Sequence, residues 1–170
     1  CDVKTEFAEL ASELILKSVG EDLEREGLDR TPARFAKALK EVCAGYAMTL
    51  EDAVGQGVFP AEGQGLVSVR DIEYHSMCEH HMLPFFGKAT VAYYPGAQIL
   101  GLSKIPRIVD LFSKRFQVQE RLTRQVAESI VSVVQPRAVL VRVVGTHLCM
   151  KMRGIGKQES ETVTEYSIGL

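Results

Sequence analysis

Three of the four histidines and two of the four cysteines stand in two short clusters, Cys78-Glu79-His80-His81 and His147-Leu148-Cys149. Thiolates and imidazoles are the ligands that soft and borderline metals choose. A Cys-x-x-His pair plus a distant cysteine supplies three of them: Cys78, His81 and Cys149. Three protein ligands leave a fourth position for water, the arrangement of catalytic zinc, and bound water there is acidified toward a pKa of ~7. The competing reading is a closed structural zinc with His80 or His147 as fourth ligand. A Cys78–Cys149 disulfide is a third, and it leaves the histidines unexplained. Spacing favours zinc over iron or manganese. In the open-site reading His80 and His147 are free to move protons, the work imidazole does best near neutral pH. His75 has no such neighbour and reads as a surface residue or as one that supports the site from behind.

Other residues could hold an anion. Ser103-Lys104-Ile105-Pro106-Arg107 opens a helical pattern, and helix N-terminal N–H groups with two cations attract phosphate. An ordinary solvated cap is the alternative. Arg153 lies just after the second cluster, and Arg34 and Lys37 add two more cations. Arginine suits bidentate phosphate contacts. Gln119-Glu120 begins another helix. A carboxylate beside an amide could read the N1–H and exocyclic amine of a guanine, or simply favour the helix dipole.

The elements that must position these groups follow from periodicity. Residues 3–19 carry apolar side chains at the spacing of an amphipathic helix, with Gly20 as a stop. Thr31-Pro32 reads as an N-cap followed by proline at the first helical position. The helix after it buries Phe35, Leu39, Val42 and Cys43, and Tyr46 continues the same face. Residues 47–65 read as a glycine-rich loop with at most one helical turn. Then 66–74 and 87–94 read as strands, Pro95-Gly96 as a turn, and Ser103 as the cap of a helix carrying Ile105, Ile108, Val109, Phe112 and Phe116. A second helix spans about 119–135, and strands follow at 138–144 and 161–168. The order β-β-α-α-β-β predicts an α+β fold: an antiparallel four-stranded sheet with two helices on one face, preceded by N-terminal helices. One domain covers 1–170, with a helical part over 1–60 and the core over 61–170. Open sheet edges predict oligomerisation.

Composition excludes several classes. Charged residues are 25% of the chain and net charge is −2 with both signs mixed, so no nucleic-acid-binding surface is expected. No apolar run approaches the ~18–20 residues of a membrane span, and the start shows no signal-peptide pattern. Four cysteines in 170 residues do not make a disulfide scaffold, which points to a reducing, cytoplasmic setting.

Taken together, the motifs resemble those of the GTP cyclohydrolase I family. Ser76-Met77-Cys78-Glu79-His80-His81 is similar to its zinc motif. Gly101-Leu102-Ser103-Lys104 through Arg107, Val118-Gln119-Glu120-Arg121-Leu122-Thr123, and His147-Leu148-Cys149 through Met152-Arg153-Gly154 look like its other signatures. Thr31-Pro32-Ala33-Arg34 with Lys37 resembles its helical entry motif. The resemblance implies the tunnelling fold (T-fold), with subunits joined into pentamers, two pentamers forming a homodecamer, and active sites between subunits. It implies conversion of GTP and water to formate and 7,8-dihydroneopterin triphosphate, the entry to folate or tetrahydrobiopterin synthesis. It implies one Zn2+ per subunit on Cys78, His81 and Cys149, and proton transfer by His80 and His147. Guanine recognition falls to Gln119 and Glu120. Ribose and triphosphate binding fall to Arg34, Lys37, Ser103, Lys104, Arg107 and Arg153. Family members commonly continue past the position of Leu170. Other expectations are a related T-fold enzyme acting on a pterin or deazapurine, and a non-catalytic oligomer with structural zinc.

Overall fold

Alternation of buried and exposed residues along 67–78 builds the centre of the molecule. Ile72, Tyr74, Ser76 and Cys78 face inward while Asp71, Glu73 and His75 face solvent, the period-2 pattern of a half-buried strand. The computed structural model describes residues 2–169. Its chain begins with α1 (Thr5–Ser18), α2 (Thr31–Val42), a 3-10 turn (Ala44–Ala47), α3 (Leu50–Val54) and β1 (Val58–Pro60). Then come β2 (Val67–Cys78), β3 (Pro84–Tyr94), β4 (Gln98–Leu100), α4 (Lys104–Ser113), β5 (Phe116–Gln117) and α5 (Gln119–Val134). The chain closes with β6 (Ala138–His147), α6 (Leu148–Lys151) and β7 (Thr162–Ile168).

The main sheet has the order β5-β2-β3-β6-β7. Its four long strands pair antiparallel, as the sequence predicts, and β5 adds a short fifth strand parallel to β2. Helices α4 and α5 cover one face. Ile105, Ile108, Leu122, Val126 and Ile130 pack there against Tyr74, Val91, Tyr93, Val141 and Val143 in one buried cluster. Each large aliphatic side chain so buried contributes about 1.5–3 kcal/mol.

Three expectations need correction. The helix after Thr31-Pro32 starts at Thr31 with Arg30 as its N-cap, because the Thr31 hydroxyl turns back and donates to the Gly27 carbonyl at 3.1 Å. Ser103 precedes α4 but makes no side-chain cap. The 47–65 segment holds more structure than a loop. Thr49 and Asp52 form a capping box that starts α3: Thr49 Oγ1 accepts from the Asp52 N–H at 3.1 Å, and Asp52 Oδ2 accepts from the Thr49 N–H at 2.8 Å. Beyond it, β1 pairs antiparallel with β4.

Amphipathic α1 forms as expected, yet its apolar stripe is not covered by this chain. Phe7, Leu10, Leu14, Ile15 and Val19 are between 53% and 72% exposed, and among the residues of α1 only Ala8 and Ser12 are buried. Among the described residues, no helix is long and apolar enough to cross a membrane.

Candidate metal centre and active-site cleft

Three chain segments end at one place. β2 ends at Cys78, β6 ends at His147, and the short β5 leads directly into α5. Parallel pairing of Cys78 with Gln117 brings the start of α5 to the end of β2. Pairing of Phe85 with His147 brings the end of β6 beside the start of β3. Strand ends on a packed sheet hold side chains more rigidly than loops do.

Between β2 and β3 the chain reverses over Glu79–Met82. The Met82 N–H donates to the Cys78 carbonyl and the Cys78 N–H to the Leu83 carbonyl, both at 2.8 Å. Met82 takes a left-handed φ of 54°, which closes the turn. This turn carries His80 and His81. His81 Nδ1 comes within 3.8 Å of Cys78 Sγ, and the ligand atoms of Cys78, His81 and Cys149 all lie within 4.8 Å of one another. Two thiolates and an imidazole around a tetrahedral zinc stand about 3.5–3.8 Å apart, given bond lengths of about 2.3 and 2.0 Å. The donor set therefore fits a zinc ion. Burial and the neighbouring Cys78 push the Cys149 thiol up, while Arg153 pulls it down. A bound dication would reverse that balance, because a coordinated thiol is held deprotonated.

His147 stands beside this group, with its ring stacked on Phe85 at a centroid distance of 4.5 Å and an interplanar angle of 5°. Its Nε2 meets Gln119 Oε1 at 2.8 Å. Burial lowers the His147 pKa, and the Glu120 carboxylate opposes that shift. His80 is different: its side chain is 65% exposed, and its Nε2 is 3.9 Å from Glu79 Oε1. Glu79 is itself gripped by Arg121 through two bonds of 2.5 and 3.0 Å, and this guanidinium holds the Glu79 carboxyl below its usual range. That fork ties the turn to α5.

Cys78, Glu79, His80, His81, Gln117 to Arg121, His147 and Cys149 line one cleft of about 540 Å³. Glu120 is exposed within it. Gln119 also borders it, but its side chain is only 1% exposed, and its amide is engaged by Val143, Thr162, Thr164 and His147. An open metal group, a half-buried imidazole and a free carboxylate in one cleft are equipped for hydrolytic chemistry on a polar heterocycle.

Comparison with known proteins identifies the lineage. The model of the family described as GTP cyclohydrolase I matches residues 8–170. The chain belongs to that family. It is 57% identical over 155 residues to GTP cyclohydrolase 1 of Deinococcus radiodurans, covering 91% of this chain and 72% of that protein. It is 51% identical to GTP cyclohydrolase 1 1 of Pseudomonas putida, covering 91% of this chain and 82% of that one. A solved structure of the archaeosine synthase QueF-Like in the apo form superposes with a TM-score of 0.51 at 22% identity, covering 64% of this chain and 97% of that one. That likeness concerns the fold alone, the T-fold that the sequence motifs implied.

Of the residues that the GTP cyclohydrolase I motifs single out, the structure brings Cys78, His80, His81, Gln119, Glu120, His147 and Cys149 to the cleft. Ser103, Lys104, Arg107, Arg34, Lys37 and Arg153 do not line it in the single chain. Lys104 instead lies along Gly55 and Gly57, and Arg34 and Lys37 are exposed on α2. Sequence reasoning missed Phe85, Glu79 and Arg121. Glu79 and Arg121 stand inside quoted motifs, and their opposite charges were the available signal. Nothing in the sequence marks Phe85 as the partner of an imidazole.

Proposed function

We propose that this protein is a zinc-dependent GTP cyclohydrolase I that converts GTP and water to formate and 7,8-dihydroneopterin triphosphate in the cytoplasm. The observation that carries the reading is the convergence of Cys78, His81 and Cys149 with His147 and Glu120 in one cleft, in a chain of this family. Glu120 accepts from the N1–H and exocyclic amine of guanine, with Gln119 beside it on the cleft wall. Zinc on Cys78, His81 and Cys149 would acidify a water toward a pKa of ~7 for attack at purine C8. His147 protonates a nitrogen of the purine imidazole ring, which makes C8 electrophilic. His80 and Ser103 move protons during ribose opening and ring closure.

The triphosphate is assigned to Arg34, Lys37, Lys104, Arg107 and Arg153, with Ser103 at the ribose. Because these do not line the cleft of one chain, the reading includes a homo-oligomer, a decamer of two pentamers, with sites completed between subunits. The uncovered apolar stripe of α1 supports association. Remote binding of the triphosphate then serves to orient C8.

The test is incubation of the purified protein with GTP, assayed for formate and for a fluorescent pterin after oxidation. Cys149→Ser loses zinc and turnover together, read by metal analysis. Glu120→Gln weakens GTP binding far more than binding of inorganic triphosphate. Absence of formate from zinc-loaded protein, or equal losses for both ligands in Glu120→Gln, overturns the reading.

A further inference from the structure

The carboxamide of Gln119 sits in a seat whose hydrogen bonds all run one way. Its Nε2 lies 3.0 Å from the Val143 carbonyl, 2.9 Å from the Thr162 carbonyl and 3.2 Å from Thr164 Oγ1. Carbonyl oxygens only accept, so the nitrogen end of the amide must face them. The opposite end, Oε1, then faces His147 Nε2 at 2.8 Å. An amide oxygen also only accepts, so Nε2 of His147 must carry the hydrogen. Two threonines lock the same direction. Thr123 Oγ1 donates to the Gln119 carbonyl at 2.8 Å, which uses its hydrogen. In the 2.6 Å contact between Thr123 and Thr164 the donor is therefore Thr164, and its oxygen is left to accept from Gln119.

The seat exists because residue 145 has no side chain. A Cβ on Gly145 would overlap Gln119 Oε1 and come within 2.6 Å of Tyr74 Oη. The Phe85 stack fixes the plane of the imidazole, and Gln119 fixes which edge of it turns inward. Nδ1 of His147 has no hydrogen-bond partner among the described residues.

We infer that Gln119 is a positioning residue that keeps a hydrogen on Nε2 of His147, so that Nδ1 is the nitrogen that takes up a proton from solvent and passes it to substrate. The inference rests on the assignment of His147 to proton transfer. In a neutral imidazole one nitrogen donates and the other accepts, and the partner of the first selects the second. Gln119 thus serves the chemistry from behind the histidine, through an amide whose two ends are both engaged by the protein.

The test uses zinc-loaded protein labelled with 15N-histidine and solid-state 15N spectra. Four histidines are few enough to assign, with His147→Gln removing the signal of interest. Wild type gives the Nε2–H pattern for His147. Gln119→Met removes the acceptor and mixes in the Nδ1–H pattern, with kcat down about 10- to 100-fold and KM for GTP changed less than about 2-fold. Zinc content stays that of wild type. Gly145→Ala, which crowds Oε1 while leaving every amide partner in place, moves the spectrum the same way and serves if Gln119→Met does not fold. An Nδ1–H pattern in wild type, or an unchanged pattern in Gly145→Ala, overturns the inference. Because the spectrum is read without substrate, it stands apart from the GTP assay. No formate from wild type defeats the reaction, whereas a wrong tautomer defeats only the role of Gln119.

Discussion

Replacing Arg121 by methionine asks whether α5 holds the turn that carries His80 and His81. Arg121 forks onto Glu79, and Glu79 stands between Cys78 and His80-His81. Both side chains are partly open to water, 38% and 31% exposed, so solvent screening limits the pair to about 0.5–1 kcal/mol. If all of that biases the turn toward the conformation that faces Cys78 and His81 to Cys149, zinc affinity falls by the same free energy, about 2- to 5-fold. Competition against a chromophoric chelator measures it. Glu79→Gln should lose as much as Arg121→Met, and the double variant no more than either, because one interaction is removed in all three. The carboxyl of Glu79 is lowered by Arg121, so the contribution is complete above the ordinary carboxylate pKa of about 4.3 and is lost as pH falls through the depressed native value. Measurements near neutral pH therefore see the pair intact. Affinity equal to wild type, or losses that add in the double variant, would refute the reasoning.

Three further outcomes are expected. Phe85→Ala opens a cavity in the core and costs about 3–5 kcal/mol in chemical denaturation, and with the His147 ring no longer stacked, turnover drops at temperatures where the variant stays folded. Thr49→Ala removes the α3 capping box and costs about 1 kcal/mol by the same method, with zinc content unchanged. Leu14→Lys, on the uncovered stripe of α1, leaves single-chain stability near wild type but shifts sedimentation toward smaller species; an unchanged profile would mean that this stripe stays in water.

The long elements were legible because each carries its own period. α5 and the four long strands appear where alternation and helical spacing place them, with β2, β3 and β6 a few residues longer at the ends near the site, whereas α4 stops at Ser113 and Phe116, expected on it, opens β5 instead. What was not legible depends on partners far away in the chain. β1 and β4 are short segments that become strands only by pairing with each other across residues 61–97. β5 is two residues long and exists because β2 lies beside it. The group that could hold a metal was legible because soft ligands are rare and clustered. Gln119 was legible as a site residue, but the direction its amide faces depends on Val143, Thr162 and Thr164, which β6 and β7 bring to it from downstream. Thr31 misled by one residue, since a hydroxyl chooses between the helix it precedes and the loop behind it, and here the Gly27 carbonyl prevailed.

On the proposed reading, charge argues against one chain holding the whole substrate. The cleft is lined by two thiols, the carboxylates of Glu79 and Glu120, and one guanidinium, Arg121, already committed to Glu79. Once the thiols ionise for a metal, a dication does not fully offset the negative charge on the protein. A nucleotide with its base at Glu120 cannot rest a highly anionic triphosphate in the same cleft without strong like-charge repulsion. Of the cations proposed for that load, Arg34, Lys37, Lys104 and Arg107 do not line it, and Arg153, though near enough to act on Cys149, does not line it either. On the proposed reading, base and metal would occupy this negative cleft, and the phosphates would need cations that do not line it. A neighbouring subunit that presents the start of its α4 across the cleft would supply that part and keep the two charges separated along the length of the substrate. On this view assembly is a requirement of the chemistry, and a variant held as a monomer would bind zinc normally while losing GTP.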